Sequence, residues 1–352
     1  MRLDREISSV ERLLYRNYRI VHGVRIGLAF IITFLLLRTL KVPEGIWPLI
    51  TLVVVMGPIS FWGNVLQRAL QRVSGMLLGA VSGLIALYLE FHSLPLMLIW
   101  CGIVMFFCGY LTLGKRPFMA LLIGITLAAM CGAGAENMPV ALWRGGDVIL
   151  GSILALLFTS IYPQHAYMLW RMEMADCLQS VGQIYGAYLS PNMLERPRLE
   201  TRMKQLLAQV VKLRGLLQPA SEETPIPEQV FEAVQTLTRN LVCTLELLVG
   251  AYWASRETRF ILLNAKTLRS AQLLTLRSIE SLADMMRYGE VRTESGDLSE
   301  IACELKALMQ EASAEQPCDA SICGYMWLSM ELAQQLEELS DLLKVCTSRV
   351  RE

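Results

Sequence analysis

Six stretches within the first 162 residues are apolar almost all the way round, whereas residues 163–352 alternate between apolar and polar faces at helical spacing. The apolar stretches lie near Val24–Leu40, Trp47–Ser60, Val73–Leu89, Leu94–Leu111, Pro117–Ala133 and Leu142–Tyr162. A helix that crosses about 30 Å of hydrocarbon needs about 20 mostly apolar residues, so each stretch predicts a transmembrane helix. Helices in a soluble core keep a polar face. Ile26–Leu37 and Leu94–Phe107 have almost none.

Beyond Pro163 the pattern predicts amphipathic helices near Gln164–Leu189, Leu199–Leu217, Pro227–Ser255, Arg259–Tyr288, Leu298–Glu311 and Ser321–Arg349. Turn formers break them at Ser190–Pro191, from Gln218 to Pro227, at Gly289–Gly296 and at Ala314–Asp319. No period-two alternation predicts a strand. The expectation is an all-α membrane protein: an amphipathic N-terminal segment over residues 1–23, a six-helix transmembrane domain over 24–162, and a cytoplasmic helical domain over 163–352.

Charge divides the chain at the same point. Residues 1–162 hold 13 Lys/Arg and 7 Asp/Glu, net +6; residues 163–352 hold 19 and 25, net −6. The zero net charge is the sum of these halves and excludes no partner by itself. Only 18% of residues are charged and 54% are hydrophobic, against about 25% charged in soluble domains. Basic residues mark the N-terminal segment (Arg2 to Arg25), Arg68 and Arg72, and Lys115 and Arg116. The alternate connections carry Glu44, Glu90 and Glu136. The bias of Lys and Arg toward cytoplasmic loops puts both termini in the cytoplasm of a bacterial inner-membrane protein. No cleavable signal peptide is expected.

Nine cysteines without regular spacing and three histidines offer no zinc pattern, so neither a metal nor a cofactor is expected. Gly109, Gly114 and Lys115 come close to spelling a phosphate loop. They lack the Ser/Thr that would hold the metal, and no strand precedes them. With no nucleophile motif and no paired catalytic groups, the pattern points away from an enzyme.

Two spans share a signature. The third opens on Arg72, Gly75, Gly79 and Gly83; the sixth opens on Arg144, Asp147, Gly151 and Ala155. Spacing by four places each series on one helix face, a small-residue stripe that lets helices approach closely in a bilayer. The matched series suggest that spans 1–3 and 4–6 are inverted repeats. The second span is broken by Gly57 and Pro58, and the matching fifth carries Gly124, Gly132 and Gly134. Interrupted middle segments at corresponding positions point to a substrate path. An Arg in such a path offers a fixed cation and five donors to a carboxylate. Asp147 reads equally as a proton site or as an interfacial partner of Arg144.

The run from Gln67 to Gly79, behind a span containing a Trp and a Gly-Pro break, resembles the fusaric acid resistance and aromatic acid exporter family. Arg144 to Ala155 followed by Pro163 resembles that family's last span. The likeness covers residues 15–165 and implies export of aromatic or other organic acids, driven by the proton gradient. Related plant malate channels use a similar six-helix block, work as dimers and line the pore with basic residues. By that likeness Arg72 and Arg144 are the anion contacts. Larger exporters of the family carry two membrane blocks and this chain carries one, so a homodimer is expected. Ser74 and Met76 stand where the family more often shows a Gly-Thr pair. The competing reading is a membrane-anchored scaffold or sensor whose helical domain binds cytosolic partners. The expected partners are the lipid bilayer and an organic anion, with no nucleic acid.

Overall fold

The computed structural model describes residues 9–41, 45–56, 62–114, 117–131, 138–161, 165–189, 198–253, 266–289, 303, 306 and 320–348, with side chains from 69 and 147 onward in the helices that begin at 62 and 138. Among the described residues every regular element is a helix. Two compact units emerge: an apolar unit, Leu13–Gln164, and a polar unit formed by the described parts of Met1–Arg12 and His165–Glu352.

The apolar unit contains α2 (Tyr18–Thr39), α3 (Ile46–Met56), α4 (Trp62–Glu90), α5 (Leu94–Thr112), α6 (Pro117–Cys131) and α7 (Met138–Ile161), preceded by α1 (Ser9–Arg16). The first span therefore starts six residues before Val24, at Tyr18. Three segments are long and apolar enough to cross a bilayer: Tyr18–Thr39, Ala69–Glu90 and Leu94–Thr112. The apolar parts Ile46–Met56, Pro117–Ala128 and Ile149–Ile161 are shorter. At 1.5 Å per residue the 11 residues of α3 reach only about 16 Å.

Burial in these helices is one-sided. Ala29, Thr33 and Leu37 are the buried residues of α2, one per turn, while Leu28, Phe30, Ile31, Phe34 and Leu35 stand exposed. Apolar side chains on an outer face are what lipid contact requires. α5 buries only Cys108. α4 is the hub: it packs on α6, α7 and α5, while α3 packs on α7 and α2. The Trp100 indole N–H on α5 donates to the Ser82 carbonyl on α4 at 3.1 Å.

In the polar unit, α8 (Ala166–Tyr188) runs through the core. α9 (Glu200–Arg214), α10 (Leu217–Glu223), α11 (Glu228–Tyr252) and α12 (Lys266–Tyr288) pack around it, and α13 (Ala320–Ser348) docks on α11 and α12. The expected single helix Leu199–Leu217 is interrupted at Gly215, and the presumed loop from Gln218 contains α10. Pro219 does not prevent this, because a proline in the first turn removes only an N–H that has no helical partner. α12 ends at Gly289, whose φ of 79° is a left-handed conformation that glycine adopts without a Cβ clash. Glu223 Oε2 accepts from the Ala166 and Tyr167 amides at 2.6 and 3.4 Å, closing the start of α8. The helix expected at Leu298–Glu311 lies outside the described residues apart from Cys303 and Lys306, both helical.

Trp170, Phe231 and Tyr167 form one aromatic cluster of this core, and Tyr185, Tyr188, Tyr252 and Tyr325 form another. Gln272 Nε2 donates to the Tyr325 oxygen at 2.8 Å. Burial raises the hydroxyls of Tyr185 and Tyr188 above the usual phenol value and pushes Tyr325 up to about 12. Above pH 10 the unfolded chain loses these protons while the fold keeps them. The unfolded state then binds fewer protons, and stability falls with pH by about 1.4 kcal/mol per unit for each group. The thermal midpoint of the purified protein is expected to decline once pH passes 10. Tyr188→Phe should make that decline shallower, and an equally steep decline would refute the assignment.

Candidate substrate path in the apolar unit

Arg72 lies in the buried face of α4, one turn after Ala69. Met76, Ser82, Ala86 and Leu87 follow on that face with Gly75, Gly79 and Gly83 among them, at the three- and four-residue spacing of one helix side. The Arg72 side chain is only 7% exposed. Its Nε is buried without a hydrogen-bond partner, and no described residue forms an ion pair with it. A guanidinium in such a place keeps unmade donors. An ionisable group inside an apolar helix block is expensive and points to function.

The glycines below it set the packing. A Cβ on Gly75 would lie 2.9 Å from Leu122 Cβ and 3.0 Å from the Met119 carbonyl oxygen. One on Gly79 would lie 2.6 Å from Thr126 Cβ and 2.9 Å from the Ile123 oxygen, and one on Gly83 would lie 2.8 Å from Met130 Sδ. The stripe of α4 is thus filled by α6. On α7 a Cβ at Gly151 would lie 2.8 Å from Thr51 Cβ and 2.9 Å from Pro48 Cα, so α3 fills that stripe. One turn further, Ala155 is fully buried in a cluster with Ala29, Leu52, Val55, Met56 and Ala69. The two stripes do not face each other. Each receives the middle helix of the other three-helix group, which spacing along the chain could not have indicated.

Asp147 is 3% exposed on α7, one turn before Gly151. Arg72 and Asp147 are not an ion pair. Gly57 and Pro58 lie outside the described residues, and so does the side chain of Arg144. Sequence reasoning passed over the buried hydroxyls of this unit: Thr33, Thr51, Ser82, Ser152 and Thr159 are all at most 8% exposed. A polar residue one helical turn from the buried positions of an apolar span was the available signal. Among the described residues no three His, Cys, Asp or Glu side chains gather as a metal site would need.

The polar unit has a groove of about 360 Å³ between α9, α10 and α11, lined by Val210, Arg214, Leu217, Glu232 and Arg239 among others. Both arginines are exposed, so water solvates them. The groove has the character of a surface seam. Among the described residues of the apolar unit Arg72 is a buried cation with an unmade donor; Arg171 of the polar unit is buried as well, its Nε donating to the Met286 carbonyl at 3.2 Å.

Residues 28–158 match the family described as fusaric acid resistance protein-like. The chain is similar to the inner membrane protein YeeA of Escherichia coli (strain K12), 50% identical over 346 residues that span 97% of this chain and 98% of that protein. It is also similar to the uncharacterized protein slr1298 of Synechocystis, 27% identical over 236 residues covering 62% of this chain and 30% of that much longer protein.

Proposed function

The chain belongs to the fusaric acid resistance protein-like family of the bacterial inner membrane, and from that premise we propose that it is a transporter exporting aromatic or other organic carboxylic acids. The observation that carries this reading is Arg72, a buried guanidinium without a described protein partner, three turns into the hub helix. A carboxylate is the ligand that planar donor set fits, through two parallel charge-assisted hydrogen bonds. Arg144, at the matching place of the sixth span, is the second anion contact, and Asp147 carries the coupling proton.

The reciprocal docking of α4 on α6 and of α7 on α3 supports a three-plus-three inverted repeat. In this arrangement six helices cross the membrane, the shorter apolar ones being completed by flanking residues. Both termini and the polar unit are cytoplasmic, and two chains assemble as a homodimer.

The test is flux into proteoliposomes holding the purified full-length chain. A panel of aromatic mono- and dicarboxylates is compared with the corresponding neutral amides. The carboxylates are expected to move at rates well above protein-free vesicles, and the amides are not. A membrane block that moves no solute would overturn the transport reading and leave the scaffold or sensor in its place.

A further inference from the structure

Hydroxyls in membrane helices ordinarily turn back on their own backbone. Most of those described here do so: Thr112 bonds the Cys108 oxygen, Thr126 the Leu122 oxygen and Thr159 the Ala155 oxygen, at 2.6 to 2.8 Å. Thr39, Ser74 and Ser160 bond carbonyls three residues back. Thr33, Thr51 and, on α4, Ser82 do not; Thr33 and Thr51 are the two on neighbouring helices α2 and α3. The side chains of Thr33 and Thr51 are 1% and 0% exposed, and neither Oγ1 has a hydrogen-bond partner. A buried hydroxyl left unmade costs about 1–3 kcal/mol, so two at one place require an explanation.

The register puts them at one level. Ala29, Val55 and Ala155 meet in one apolar cluster. α2 and α3 are joined by a short connection and so run antiparallel. α3 and α7 run parallel, since Pro48 and Thr51 meet Gly151 while Leu52, Val55 and Met56 cluster with Ala155. Moving one turn, about 6 Å, from the cluster toward the α2–α3 connection reaches Thr33 on α2, Thr51 on α3, and Gly151 with Ser152 on α7. Ser152 is 3% exposed. The missing side chain at Gly151 brings Thr51 against α7. One further turn along α7 is the buried carboxylate of Asp147.

We propose that Thr33 and Thr51 hold an internal water between themselves and Asp147, and that this hydroxyl layer is the relay loading the transporter's coupling proton. The inference rests on the transport reading and deepens it. The Thr33 and Thr51 hydroxyls each offer one donor and two acceptor positions, enough to fix a water that makes the usual two to four hydrogen bonds. In the step itself a hydronium O–H bond breaks, an O–H bond forms on the Asp147 carboxylate, and neutral water remains in the layer. Release to the other side reverses it.

The charged groups of the neighbouring helices are few. α3 has none. On α2, Arg19, His22 and Arg25 lie beyond Ala29 on the far side of the cluster, Arg25 Nη2 meeting His22 Nδ1 at 3.1 Å, while Arg38 next to Leu37 is exposed. α4 contributes Arg68, Arg72 and the exposed Glu90, and α7 contributes Arg144. Thr33 and Thr51 are positioning residues; the proton resides on Asp147.

The experiment measures carboxylate accumulation in proteoliposomes with and without an imposed pH gradient. Infrared titration of the protonated carboxyl stretch that disappears in Asp147→Asn is run alongside. In wild type the gradient is expected to raise accumulation at least tenfold. In the double variant Thr33→Val with Thr51→Val the ratio should fall to about one and the carboxyl titration should shift. Thr33→Ser with Thr51→Ser should restore both. A double Val variant with an unchanged ratio and an unchanged carboxyl titration overturns the inference. A sodium gradient that substitutes for the pH gradient overturns it as well, in favour of a cation site. If wild type moves no carboxylate, the transport reading fails, whereas a carboxyl titration insensitive to the double variant removes the hydroxyl layer independently of flux.

Discussion

Arg72→Gln is expected to lower carboxylate flux tenfold to a hundredfold and, at the same time, to raise the thermal midpoint of the purified protein. The two effects follow from the same placement. A hydrogen bond to a charged group contributes about 1.5–3 kcal/mol, which at about 1.4 kcal/mol per decade is one to two decades in the occupancy of a carboxylate. Without that carboxylate, the guanidinium remains 7% exposed with its Nε unpaired. A buried ion without a counter-ion costs several kcal/mol, so removing the charge relieves the resting fold. An arginine retained for structure would behave in the opposite way, its loss destabilising the protein while leaving flux alone. Arg72→Lys keeps the charge and loses the planar fork, and should fall between. Measuring flux and thermal unfolding on the same preparations checks both. Unchanged flux in Arg72→Gln would remove the residue from the path.

The second large effect lies in the glycine stripes. Gly79→Ala would set a Cβ 2.6 Å from Thr126 Cβ and 2.9 Å from a backbone oxygen, and Gly151→Ala would press on the backbone of Pro48. Backbone cannot swing aside as a side chain can, so α4 must move from α6, and α7 from α3. Overpacking of this kind costs about 1–3 kcal/mol. It outweighs the gain of up to about 1 kcal/mol from placing Ala instead of Gly inside a helix. Gly27→Ala is the control, since nothing lies within 4 Å of its position. Thermal unfolding in detergent should show lower midpoints for Gly79→Ala and Gly151→Ala, summing in the double variant because their partners differ. Gly27→Ala should match or exceed wild type. Equal losses at all three positions would show that the stripes are not close-packed.

The sequence by itself determined what depends on local composition. Runs without a polar face such as Ile26–Leu37 can be stable only as helices whose backbone bonds are internal and whose outer surface meets lipid. The change to amphipathic spacing after Pro163 determined that a different, water-facing helical unit follows. Four-residue spacing identified the faces of Gly75, Gly79 and Gly83 and of Gly151 and Ala155. It could not say which helix each face receives, because a stripe of small residues accepts any partner of complementary shape. Only the tertiary structure decided that α6 fills one and α3 the other. It also decided that α10 forms where turn residues suggested a loop, since Pro219 falls in a first turn. The candidate site divided in the same way. Arg72 was legible because a charge stands out in an apolar run. Thr33 and Thr51 were not, because a threonine in a span usually satisfies itself on its own backbone, and only the packing of three helices shows that these two do not.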